Sequence, residues 1–212
     1  MEPLFKFCRK EHNLALGATT IRIANMSYYR NFEEKDIGDS QEGIKMSKEF
    51  IWNQIHPTNI TRFGNSNLIF CASNSMIGSL AEYDSCYKIT DYIKFGRILA
   101  NELIDTIYLD EIRHLDTFLP ISTLSEISKV GVEIERRSVR YLKKDEIKNE
   151  NYNMLAIPFW KDISYKHQDE YRYLFKLFYN DFPVGLSAVD TPFIDLDLKK
   201  YRNVLPIELI EL

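Results

Sequence analysis

Seven residues, NLIFCAS at 67 to 73, constrain the fold more than any other stretch. The apolar run is too short for a buried helix and is bounded by Asn, Gly and Ser, so it predicts a buried strand. Such a strand needs hydrogen-bond partners along its edges and apolar cover on its faces. Candidate partners are spread along the chain. PLFKFCR (3 to 9), TIRIA (20 to 24), CYKITD (86 to 91), VGVEIE (130 to 135) and SVRYL (138 to 142) alternate or are rich in β-formers. EYRYLFKLF (170 to 178) and LPIELIEL (205 to 212) do the same, and MLAIPFW (154 to 160) carries Pro158, which places it at an edge or element end.

Helical patterning is rarer. Ile93, Phe95, Ile98, Leu99, Leu103, Ile104 and Ile107 recur at helical spacing, and Asp91 is a suitable N-cap, so a helix is expected from about 91 to 106. EHNLALGA reads as a short linking helix, residues 46 to 60 fit helix or strand, and EEKDIGDSQEGI and KKDEIKNENYN read as exposed connections. Strands outnumber helices without regular alternation. The expected fold is therefore α+β, with a mainly antiparallel or split β-sheet and a few flanking helices, in one domain spanning 1 to 212.

Charge and composition narrow the function classes. The 27 basic and 31 acidic residues leave a net charge of −4, which argues against a surface built around nucleic-acid phosphates. No run of eighteen apolar residues exists, so no membrane span or signal peptide is expected. Cys8, Cys71 and Cys86 are odd in number and widely spaced, as suits reduced thiols in the cytoplasm. His12, His56, His114 and His167 lack ligand spacing, so no metal site is expected. P-loop, G-x-G-x-x-G and G-x-S-x-G motifs are all missing.

Three groups of residues have chemistry to offer. Arg9 and His12 follow the first strand; they are either surface polarity or an anion and ribose contact, since Arg presents a fork of donors and His both donates and accepts. Ser73 leaves the buried strand, where a small hydroxyl terminates the strand or braces a ligand. In SYKHQDEYRYLF, read as one half-buried strand, period 2 puts Gln168, Glu170 and Arg172 on one face and His167, Asp169, Tyr171 and Tyr173 on the other. Glu170 beside Arg172 is either a surface ion pair or an ionised carboxylate suited to orienting a hydroxyl or stabilising positive charge.

Motifs of the types LFKFCR, GDSQEG, IFCAS and EYR, in that order from Pro3 to Phe178, resemble a group of uncharacterised bacterial and phage proteins associated with mobile elements and defence. The layout is also similar to the ADP-ribosyltransferase superfamily, whose split sheet binds NAD. That resemblance implies Arg9 or His12 on the NAD phosphate or ribose, with Arg172 beside them, and Ser73 bracing the nicotinamide side. It implies Glu170, with Gln168 completing a Q-x-E pair, in catalysis. Ser73 departs from the superfamily's Ser-Thr-Ser form.

The first expectation is thus an NAD-dependent ADP-ribosyltransferase-like enzyme, a toxin or phage-conflict factor, modifying a protein or nucleic-acid acceptor. The alternative is a non-catalytic inhibitor that binds a protein partner through its 38 to 43 loop. A metal-dependent nuclease-like toxin comes third, because Asp39, Glu42, Glu133 and Glu135 share no motif.

Overall fold

Asn67–Ser73 is a strand with the boundaries that its apolar run predicts, and the rest of the sheet is arranged around it. The structure is a computed structural model that describes residues 2–30, 44–51, 54–62, 67–76, 83–109, 115–116, 130–143, 158–179, 182–186 and 192–211. Its strands are β1 (Leu4–Cys8), β2 (Thr20–Asn25), β3 (Ile44–Ile51), β4 (Gln54–Arg62), β5 (Asn67–Ser73), β6 (Ser85–Ile89) and β7 (Leu115–Asp116). They continue as β8 (Val130–Ser138), β9 (Arg140–Leu142), β10 (Trp160–Asp162), β11 (Glu170–Tyr179), β12 (Phe182–Leu186), β13 (Phe193–Asp197) and β14 (Ile207–Ile210). The α-helices are α1 (Met26–Arg30) and α2 (Tyr92–Leu109). The α+β class with a mainly antiparallel sheet is borne out.

Among the described residues ten strands form one sheet, whose main path runs β14-β6-β1-β5-β11-β12-β7. β11 lies along one edge of β5 from Glu170↔Ser73 to Lys176↔Asn67, and β8 covers the far edge of β11. The other edge of β5 is shared. β1 meets it at Phe5↔Ser73, whereas β2 meets it at Ala24↔Ile69 and Asn25↔Leu68. The sheet divides there, with β1 continuing into β6 and β14 and β2 into β13. Between the two bridges the Cys71 carbonyl accepts from Lys6 Nζ at 2.9 Å, so a side chain supplies the hydrogen bond where the strands part.

Alternation along β5 and β11 sends Phe70, Tyr173 and Phe175 to the face covered by α2, where Phe95 meets Phe70 and Tyr173 at ring-centroid distances of 5.6 and 6.2 Å. Ile69 and Leu174 point the other way, against Met26 and Phe159. Both faces of this central pair are buried, each large apolar side chain contributing about 1.5–3 kcal/mol. Helix α2 begins as expected: Asp91 Oδ1 accepts from the backbone N–H groups of Ile93 and Lys94 at 3.0 and 2.9 Å. It runs to Leu109, three residues past its expected end.

Several local expectations are corrected. EHNLALGA forms two 3-10 turns, Lys10–His12 and Leu14–Leu16, closed by Gly17 at φ 109°. VGVEIE continues to Ser138, leaving only Arg140–Leu142 of SVRYL as a separate strand. Of residues 46 to 60, the described ones, 46–51 and 54–60, fall in β3 and β4, which pair as a separate two-stranded sheet. SYKHQ is not strand: Ile163–Gln168 is a 3-10 helix capped at its start by the Asp162 side chain and ended by Asp169 in the left-handed region at φ 43°. Period 2 therefore starts only at Glu170. The loop at 38 to 43 and residues 144 to 157 lie outside the described residues.

Candidate functional site

The first 3-10 turn carries two of the expected binding residues, and Asn13 holds it in place. Buried Asn13 donates from Nδ2 to Ser85 Oγ at 2.6 Å and to the Cys86 carbonyl at 3.2 Å, and its Oδ1 accepts from Ala15 N–H at 2.8 Å. Lys10 N–H donates to Asp84 Oδ1 at 2.8 Å. These bonds fix the turn against β6. Arg9 and His12 are left exposed at the mouth of a cleft of about 370 Å³, within the range of small-molecule sites.

The cleft lies where β1 and β2 separate. Phe7, Phe70, Tyr87, Tyr29 and Tyr83 supply aromatic wall, and Lys6, Arg9, Arg22, His12 and Asp195 supply the ionisable groups. Arg22 and Asp195 stand opposite each other on β2 and β13 in a two-pronged ion pair, Nε to Oδ1 and Nη2 to Oδ2, both 2.8 Å. The hydrogen bonds from Arg22, reinforced by its charge and that of His12, hold the Asp195 carboxyl below its ordinary value. Arg22 also stacks on Phe193 at 3.7 Å. Among the described residues, Arg9 has no ion-pair partner.

The remaining expected residues meet elsewhere. Glu170 opens β11 with its carboxylate buried, accepting from Arg172 Nε at 2.5 Å and Nη2 at 3.2 Å and from Lys161 Nζ at 3.2 Å. Arg172, 1% exposed, also donates from Nη1 to the Pro158 carbonyl at 2.6 Å, and Lys161, 5% exposed, also donates to Gln168 Oε1 at 2.7 Å. The Glu170 backbone N–H donates to Tyr141 Oη at 2.7 Å. Burial alone raises the Glu170 carboxyl; the charge of Arg172, then that of Lys161, and the hydrogen bonds outweigh it and hold the group well below the usual range.

Glu170 and Arg172 do share a face, but they form a buried triad with Lys161 rather than a surface pair. Gln168 joins them through Lys161, not through a shared strand face, because the Asp169 turn interrupts the register. Ser73 is buried, donates to the Ser75 carbonyl at 2.8 Å, and lies opposite Glu170. Neither Ser73, Gln168, Glu170 nor Arg172 lines the cleft that holds Arg9 and His12. The expected set is thus divided between two places.

Residues that pattern reading did not single out complete both. Lys6, Arg22 and Asp195 belong to the cleft, and Lys161 and Tyr141 to the triad. Arg22 interrupts apolar neighbours in TIRIA, a local sign of an outward face, but its partner is 173 positions away. Among the described residues no three His, Cys, Asp or Glu side chains form a metal-binding group, and no helix is long and apolar enough to cross a membrane. No family model, curated protein or solved structure matches the chain.

Proposed function

We propose that the cleft between β1 and β2 binds a nucleotide of the NAD class, with Arg9 and His12 on its phosphates and the aromatic wall against a ring. The observation that carries this reading is Arg9, a guanidinium without an ion-pair partner among the described residues, at the mouth of an aromatic-walled cleft of about 370 Å³. Its planar fork suits phosphate oxygens, and flat side chains suit a base or nicotinamide. Lys6, in the same lining, adds positive potential.

ADP-ribosyl transfer, the activity implied by the resemblance, is the stronger form of the proposal. It calls for a carboxylate that reaches the ribose, and among the described residues the carboxylate lining this cleft is Asp195, while both oxygens of Glu170 are engaged by Arg172 and Lys161. Glu170 enters this reading as the residue that joins β10 to β11.

Calorimetric titration with NAD tests binding. Wild type should bind, and Arg9→Ala should weaken the affinity by about tenfold or more, the value of a charge-assisted hydrogen bond. Absence of binding at millimolar NAD sinks the proposal. Chromatography of the same mixtures for released nicotinamide tests the transfer step, and intact NAD after long incubation with a cell extract removes that step while leaving binding.

A further inference from the structure

The cleft that we read as a nucleotide site is not uniformly cationic: among the described residues its one lining carboxylate, Asp195, is held in a two-pronged ion pair. Asp195 accepts from Arg22 through both oxygens, and Arg22 is itself fixed against Phe193. Two parallel hydrogen bonds use about half of the roughly four acceptor positions of a carboxylate. The remaining positions belong to a side chain that lines the cleft and is 45% exposed, so they are open to a ligand.

Its surroundings keep it charged. The cationic groups of the same lining are Arg22, Lys6 and Arg9, with titratable His12 acting on the carboxylate. A ligand that carries negative charge at every point meets Asp195 unfavourably, whereas one that combines a phosphate with neutral hydroxyls satisfies both ends. Hydroxyls donate to a carboxylate; a phosphate ester in their place cannot, and it adds a like charge.

We infer that Asp195 is a specificity-determining residue: it accepts hydrogen bonds from the vicinal hydroxyls of a ribose and excludes a nucleotide phosphorylated at those hydroxyls. This rests on the nucleotide reading of the cleft. It adds that the site prefers a nucleotide with a free diol to both the deoxygenated and the further phosphorylated forms.

The test titrates AMP, 2′,3′-dideoxy-AMP and adenosine 2′,5′-bisphosphate into wild-type protein and Asp195→Asn. Wild type should bind AMP about tenfold or more tightly than either analogue, the scale of a hydrogen bond to a charged acceptor. Asp195→Asn, which keeps the shape and removes the charge, should close most of the gap to the bisphosphate. The wild-type ligand order needs no variant, so the inference stays open to refutation even if Asp195→Asn folds poorly.

Equal or tighter binding of the bisphosphate by wild type overturns the inference, as does an undiminished gap between AMP and the bisphosphate in a folded Asp195→Asn. If NAD binds but AMP does not, or if the three analogues are bound alike, the role of Asp195 falls while the nucleotide reading stands. If neither NAD nor AMP binds, both fall.

Discussion

Replacing Glu170 with Ala separates a structural carboxylate from a catalytic one. The substitution removes the anion between Arg172 and Lys161, which are 1% and 5% exposed, and leaves two buried cations without their shared counter-charge. Removing one partner of a buried pair costs about 3–5 kcal/mol. For a chain of this size each kcal/mol moves the melting temperature by about 2–4 °C, so the expected fall is about 6–20 °C. Circular dichroism melts at pH 7 measure it. A melting temperature within about 2 °C of wild type would refute the structural role on this scale. Any loss of NAD turnover in Glu170→Ala therefore has to be judged beside its stability.

The same group sets a pH dependence. Its folded-state carboxyl ionises below the ordinary value of 4.5, so its stabilisation is fully present above that value and is lost as pH falls toward the lowered one. Wild type should lose stability progressively below about pH 4.5, and Glu170→Gln should start lower and show a shallower acid slope. Parallel slopes would show that another carboxylate governs the acid limb.

Two further predictions concern the core. A Cβ at Gly96 would sit 2.9 Å from Tyr173 Cε1, and that ring is locked by burial and by its Oη donating to the Tyr92 carbonyl at 3.1 Å. Overpacking outweighs the helix gain, so Gly96→Ala should lose about 1–2 kcal/mol in a urea titration, and an unchanged midpoint would show that the ring can give way. Burial pushes the Cys8 and Cys86 thiols up to about 11 and raises Cys71 as well. Ellman's reagent at pH 8 should therefore label the native protein slowly and all three thiols promptly in guanidinium; rapid native labelling would contradict this.

Much of the fold was legible because its signals are local. The NLIFCAS run specifies β5, the side-chain alternation from Glu170 onward specifies β11, and helical spacing with an Asp91 cap specifies the start of α2. The failure at SYKHQ has an equally local cause. Polar residues carry little hydrophobic period, so nothing in their pattern marked the 3-10 helix or the left-handed turn at Asp169, and the strand register was carried back too far.

The two candidate sites were legible only in parts. Arg9, His12, Ser73, Glu170 and Arg172 are recognisable as residue types with chemistry, but their grouping depends on which edge of β5 each neighbouring strand takes. β1 and β2 share one edge and part, which opens the cleft beside Arg9 and His12. β11 takes the other edge, with Glu170 and Arg172 on the face that packs against Lys161 and Phe159.

By itself the sequence determined the strand-rich α+β class, the central strand and the main helix, because period and capping act over a few residues. Tertiary structure alone decided that Glu170 belongs to a buried triad, that Asp195 stands across from Arg22, and that Arg9 lines a cleft without Ser73. Those outcomes follow from strand order and register, which bring together residues as far as 173 positions apart, and no local pattern encodes them.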